Sequence, residues 1–101
     1  MEKDAKRVAD LLKLLSNENR LLILCALLER PMTVGELKEK VSKISAPAIS
    51  QHLNKLTEAG LITFEKKAQF SIYEISDLHL YKLMALLKAE YCSSENNLNE
   101  T

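Results

Sequence analysis

Between positions 33 and 62 the chain carries helix-start signals, an apolar stripe and a helix stop in a fixed order, and that order restricts the fold more than any other feature. Thr33-x-x-Glu36 is a capping box, in which each side chain answers an orphan backbone N–H at the start of a helix. It opens a short helix over 34–41 with Leu37 and Val41 on its core face. Ser45 supplies the next N-cap. Pro47 falls in the first turn, where its missing N–H removes no helical bond. Ile49, Leu53 and Leu56 then recur on one face of the following helix, and Gly60 suits the left-handed position just past its end.

The flanks extend the pattern. Val8, Leu11, Leu12 and Leu15 give an apolar face to a helix over 4–15, and Ser16-Asn17 breaks it and can cap the next. Residues 18–29 include Leu-Leu-Ile-Leu-Cys-Ala-Leu-Leu, apolar all round, which predicts the central buried helix, with Pro31 at or beyond its end. Alternation through Ile62, Phe64 and Lys66, and through Phe70, Ile72, Tyr73 and Ile75, predicts a β-hairpin. Its tip, Lys67-Ala68-Gln69, lacks the glycine that such turns favour. Ser76 or Asp77 caps a last helix reaching about 92, with Leu80, Leu83, Met84, Leu87 and Tyr91 on its apolar face. The expected fold is mainly α with a small β-hairpin wing: a winged helix-turn-helix with the hairpin between the fourth and fifth helices. One domain covers 1–92, and 93–101 form a polar tail.

A domain of 101 residues buries a limited share of its surface, so dimerisation would help it. No apolar run is long enough to span a membrane. The first residues, Met1-Glu-Lys-Asp-Ala-Lys, lack the apolar core of a signal peptide, so a cytoplasmic location is expected. The formal net charge is zero, but its distribution is uneven. Residues 1–37 are balanced, residues 38–70 carry six basic and three acidic side chains, and residues 71–101 carry two basic and five acidic. The positive excess coincides with the helix-turn-helix and wing, where phosphates would lie.

With Ile49, Leu53 and Leu56 inward, Ala46, Pro47, Ser50, Gln51, Asn54 and Lys55 lie on or near the outer face. A helix of this size fits the major groove of double-stranded DNA. Gln51 can hold an adenine bidentately, Ser50 and His52 can meet bases or phosphates, and Ala46 and Pro47 can touch a thymine methyl. Ser45 stands at the helix start beside them. Lys55 suits a phosphate, and Lys66, Lys67 and Gln69 would reach the backbone or an adjacent minor groove. The alternative is a solvated polar face on an ordinary helical domain, or a winged helix used for protein contacts.

These segments resemble the ArsR/SmtB family of dimeric bacterial repressors. Leu14-Leu-Ser-Asn-Glu-Asn-Arg-Leu-Leu-Ile-Leu24 is similar to the family's opening segment. Ile44-Ser-Ala-Pro-Ala-Ile-Ser-Gln-His-Leu53 is similar to its recognition helix, and Leu56-Thr-Glu-Ala-Gly-Leu-Ile62 and Tyr73 also match. The likeness covers about residues 5–92. It implies a homodimer built on the first and fifth helices, an inverted-repeat operator and a repressor's role. Ala46 and Pro47 stand where the family usually has Gln-Ser, so the operator sequence does not follow from it. The thiol-bearing metal motif of the family's third helix is absent, since that stretch reads Val34-Gly-Glu-Leu-Lys-Glu-Lys.

The two cysteines, Cys25 and Cys92, are too few for a disulfide scaffold and form no Cys-x-x-Cys. Cys25 as a small core residue and Cys92 as a surface thiol is the plain reading. Their surroundings, with Lys67-Ala-Gln69, resemble the branch of the family that senses persulfides or oxidants by linking two such cysteines and releasing DNA. Some relatives with the pair are activators, which leaves the sign of regulation open. Lys88, one turn before Cys92, would lower that thiol's pKa, and Glu90 would oppose it. A rival resemblance, to the zinc-sensing branch, places Asp77, His79 and Glu90 as ligands across a dimer, with Ser93 where a fourth ligand would stand. In that case zinc would be the cofactor; otherwise none is expected. Enzymatic use of Cys25 would need an acid–base partner and a cleft. The chain's histidines, His52 and His79, fall on the presumed DNA face and at the start of the last helix, so no enzyme is expected.

Overall fold

The computed structural model describes residues 1–91; Cys92 and the tail expected over 93–101 lie outside the described residues. Among the described residues are five helices, α1 (Glu2–Leu15), α2 (Glu18–Leu27), α3 (Val34–Lys40), α4 (Ala46–Glu58) and α5 (Leu78–Tyr91), and one antiparallel hairpin, β1 (Ile62–Lys67) and β2 (Phe70–Ile75), between α4 and α5. This is the order and type of elements expected. The bounds differ slightly: α1 begins two residues earlier, and α2 ends at Leu27 instead of 29.

Local chemistry sets the ends. Asn17 caps α2 by accepting from the Arg20 N–H at 3.0 Å. In the capping box of α3, Thr33 Oγ1 accepts from the Glu36 N–H at 3.1 Å, and Glu36 Oε1 accepts from the Thr33 N–H at 3.0 Å. Ser45 Oγ accepts from the Ala48 N–H at 3.2 Å at the start of α4. At its end, Gly60 has φ +79°, its N–H reaches the Thr57 carbonyl at 3.0 Å, and the Leu61 N–H reaches Leu56 at 3.1 Å. That pair of bonds is a Schellman motif, and the buried Leu61 and Leu56 give it its apolar contact. Asp77 caps α5 by accepting from the Leu80 N–H at 2.9 Å.

The core gathers around α2, where Ile23, Leu24, Ala26 and Leu27 are buried and Leu21, Leu22, Cys25 and Leu28 pack against them. Leu37 of α3 and Val41 just past its end close it on one side, with Ile49, Leu53 and Leu56 from α4, and Leu80 and Met84 from α5. On α1 only Leu15 is buried, while Val8 and Leu12 keep 53% and 54% of their surface. Of the expected apolar face of α1, Leu15 and Leu11 pack on the core, while Val8 and Leu12 find no cover among the described residues.

The wing is tied to the body by a contact that local patterning does not reveal. Met32, fully buried in the α2–α3 link, exchanges two backbone hydrogen bonds with Tyr73 of β2, at 2.9 and 2.8 Å. Phe64 leans on Tyr73 across the hairpin, with ring centroids 5.4 Å apart. Lys67 pairs with Phe70, so the turn is the two residues Ala68 and Gln69. Ala68 sits at φ 56°, a left-handed conformation that costs an L-residue about 1–2 kcal/mol. Ala68→Gly relieves it and loses part of the gain to greater freedom of the unfolded chain. A net stabilisation of about 0.5–1 kcal/mol is expected, read as a higher urea midpoint with an unchanged m-value. A lower midpoint would contradict it.

Candidate nucleic-acid interface

The geometry of α4 follows from its two faces. Ile49, Leu53 and Leu56 have no exposed surface, which fixes the roll of the helix. Pro47, Gln51, Asn54 and Lys55 are exposed on the opposite side, Ser45 and Ala46 are exposed at its start, and Ser50 is half-buried on its flank. Wing residues Lys66, Lys67 and Gln69 are exposed as well. Side chains of helix and wing thus offer a hydroxyl, three amides and three ammonium groups to solvent.

His52 is placed differently from the outer-face residues. It is half-buried between α4 and α2, and its Nδ1 accepts from Arg20 Nε at 3.4 Å. Arg20 also donates through Nη1 to the Leu14 carbonyl at the end of α1, at 2.8 Å. Burial, then the charges of Arg20 and Lys55, hold the His52 pKa below its ordinary value. Arg20 was not singled out by the sequence. Its i+3 position after Asn17 marks a helix start, but nothing local shows its reach to residue 52.

Half of the lysines behind the positive excess are spoken for. Lys38 Nζ donates to the Ser42 and Ile44 carbonyls at 2.7 and 2.9 Å, pinning the turn into α4. Lys40 pairs with Glu29 at 3.1 Å and Lys43 with Glu18 at 2.9 Å. The acidic partners come from α2 and its end, outside the window in which the excess was counted. Of the six, Lys55, Lys66 and Lys67 stand on the outer face, while the charges of Lys40 and Lys43 are offset by Glu29 and Glu18.

The regulatory candidates are scattered. Cys25 is half-buried on α2, which packs on α5; Cys92 lies outside the described residues. Lys88, expected to act on Cys92, directs its ammonium toward Glu29 at 3.9 Å. Asp77 is engaged as the α5 cap, His79 is exposed in the first turn, and Glu90 lies near the other end. Eleven residues of helix separate His79 from Glu90, roughly 16 Å along the axis. Among the described residues no three His, Cys, Asp or Glu side chains cluster as metal ligands. No described helix is long and apolar enough to cross a membrane.

The segment that carries these features also matches known proteins. The profile of the arsR family of bacterial regulatory proteins matches residues 17–63, from the α2 cap into β1. The transcriptional activator HlyU of Vibrio cholerae is 39% identical over 94 residues, which cover 93% of this chain and 86% of that protein. The chain belongs to the ArsR family. A second member, the biofilm growth-associated repressor of Agrobacterium fabrum, is 38% identical over 97% of this chain and 83% of its own. The structure of reduced HlyU from Vibrio cholerae superposes with a TM-score of 0.86 at 40% identity, covering 92% of this chain and 97% of that one. As an ArsR-family protein the chain is a DNA-binding transcriptional regulator, not an enzyme. ArsR relatives of similar identity are named both activator and repressor.

Proposed function

We propose that the chain is a sequence-specific, homodimeric regulator that reads an inverted-repeat operator with α4 and is controlled by its two thiols. The observation that carries the DNA reading is the capped α4, whose buried Ile49, Leu53 and Leu56 force Gln51 and Asn54 outward beside Lys55. Gln51 supplies the bidentate base contact, with Ser50 and Asn54 beside it and Ala46 and Pro47 against a methyl group. Ser45, Lys55, Lys66, Lys67 and Gln69 set the register on the backbone. A dimer is favoured by the uncovered Val8 and Leu12 of α1 and by Leu86 of α5, which is 57% exposed. Two-fold symmetry then presents two recognition helices to two half-sites.

Control by Cys25 and Cys92 is supported by the half-buried placement of Cys25 on a helix that packs on α5, and by similarity to a protein whose structure is described as reduced. In a plain disulfide the two thiols lose two protons and two electrons to an oxidant and close one S–S bond, which requires Cα atoms within about 7 Å. A link between α2 and the end of α5 shifts the helices that set the distance between reading heads. No metal enters this reading. An organic trisulfide, as sulfane-sulfur donor, is expected to weaken binding of the wild-type protein to its DNA, and mass spectrometry to show a Cys25–Cys92 link within one subunit. Cys92→Ser should not respond. An equal response from that variant would refute thiol control.

A further inference from the structure

Arg20 joins three elements. Its backbone N–H is held by Asn17 at the start of α2, its Nη1 satisfies the Leu14 carbonyl of α1, and its Nε meets His52 of α4 at 3.4 Å. The Leu14 carbonyl belongs to the last turn of α1, where backbone acceptors have no intrahelical donor. The guanidinium is thus fixed on the α1–α2 corner before it reaches the recognition helix. Guanidinium has donors only, so the nitrogen of His52 that faces it must be an acceptor. That requires neutral imidazole with its proton on Nε2. A second proton would convert the acceptor into a donor pointed at a donor.

We propose that Arg20 and His52 form a positioning link that sets the recognition helix relative to the α1–α2 corner, with His52 serving Arg20 through Nδ1 instead of reading DNA. The inference rests on the regulator reading above. The link reaches from α1, whose Val8 and Leu12 are exposed, to the helix that meets bases, so it transmits the placement of one to the other. The charged groups around it are Asp10 and Lys13 of α1, Arg20 of α2, and Lys55 and Glu58 of α4, which line the hollow beside Arg20. Of these, Arg20 and Lys55 oppose protonation of His52, in keeping with its lowered pKa.

Asparagine and glutamine separate the possibilities, because Asn carries its amide oxygen near the Nδ1 position and Gln near Nε2. Duplexes enriched from a random pool on the wild-type protein provide the probe, with an unrelated duplex as reference. His52→Asn should bind the enriched duplex within about threefold of wild type. His52→Gln and His52→Leu should lose about tenfold, with little change on the unrelated duplex. The reverse order, Gln retained and Asn lost, would show a base or phosphate contact through Nε2 and overturn the link; so would equal binding by all three. A second arm needs no DNA. Removing the charge in Arg20→Gln should raise the His52 pKa followed by NMR, and an unchanged value would also overturn the proposal. If no duplex is enriched by the wild-type protein, the regulator reading fails while the titration still decides the link.

Discussion

Leu53→Ala is expected to lower the unfolding free energy by about 2–5 kcal/mol and the melting temperature by roughly 10 °C or more. Leu53 has no exposed surface and lies between Ile49 and Leu56 on the stripe that seats α4. Truncation removes apolar burial and leaves a cavity that a helix pinned at both ends cannot collapse into. The pins are the Ser45 cap and the Gly60 Schellman motif. DNA binding should fall with folding, because the same stripe sets which residues of α4 point outward. Urea and thermal unfolding at one fixed protein concentration are the measurements, since dimerisation makes the midpoint depend on concentration. A loss below about 1 kcal/mol would mean that the stripe does not hold the helix.

The features legible in the sequence are those written in neighbouring residues. Thr33 and Glu36 lie three apart, Ser45 precedes Pro47 and the stripe, and Gly60 follows its last turn, so helix ends and rolls could be read directly. The two strands followed from alternation, but their register did not: Lys67, expected in the tip, pairs with Phe70, and the glycine-free turn concealed that Ala68 takes the left-handed conformation. What escaped was set by distance along the chain. Met32 and Tyr73 are 41 positions apart, and their bridge anchors the wing without any periodic signal. Arg20 reaches His52 across 32 positions, a contact with no local signal. Lys40 and Lys43 looked available because Glu29 and Glu18 lay in another segment. Charge counted along the sequence thus misjudges the field at a surface where the chain folds acids back onto bases. The α1 face was legible as apolar, but that Leu11 and Leu15 would pack on the core while Val8 and Leu12 stay exposed was not.

The double variant Gln51→Ala, Asn54→Ala carries the second large effect. Both side chains are exposed on the outer side of α4, away from the stripe. Stability should change by less than about 0.5 kcal/mol, as for surface positions without a structural partner. A bidentate amide–base pair is worth about 1–3 kcal/mol of discrimination, so affinity for the enriched duplex should fall by about tenfold to a hundredfold. Affinity for unrelated DNA should hardly change, because the phosphate contacts of Lys55, Lys66 and Lys67 remain. Lys55→Ala should do the opposite, weakening all duplexes similarly and reducing the salt slope by about one.

The direct test is the ratio of affinities for enriched and unrelated duplexes, measured at one salt concentration for the wild-type protein and the Gln51→Ala, Asn54→Ala variant. A ratio that collapses toward one, with folding and nonspecific binding intact, is the predicted result. A variant that discriminates as well as the parent would place sequence reading elsewhere than on the outer face of α4.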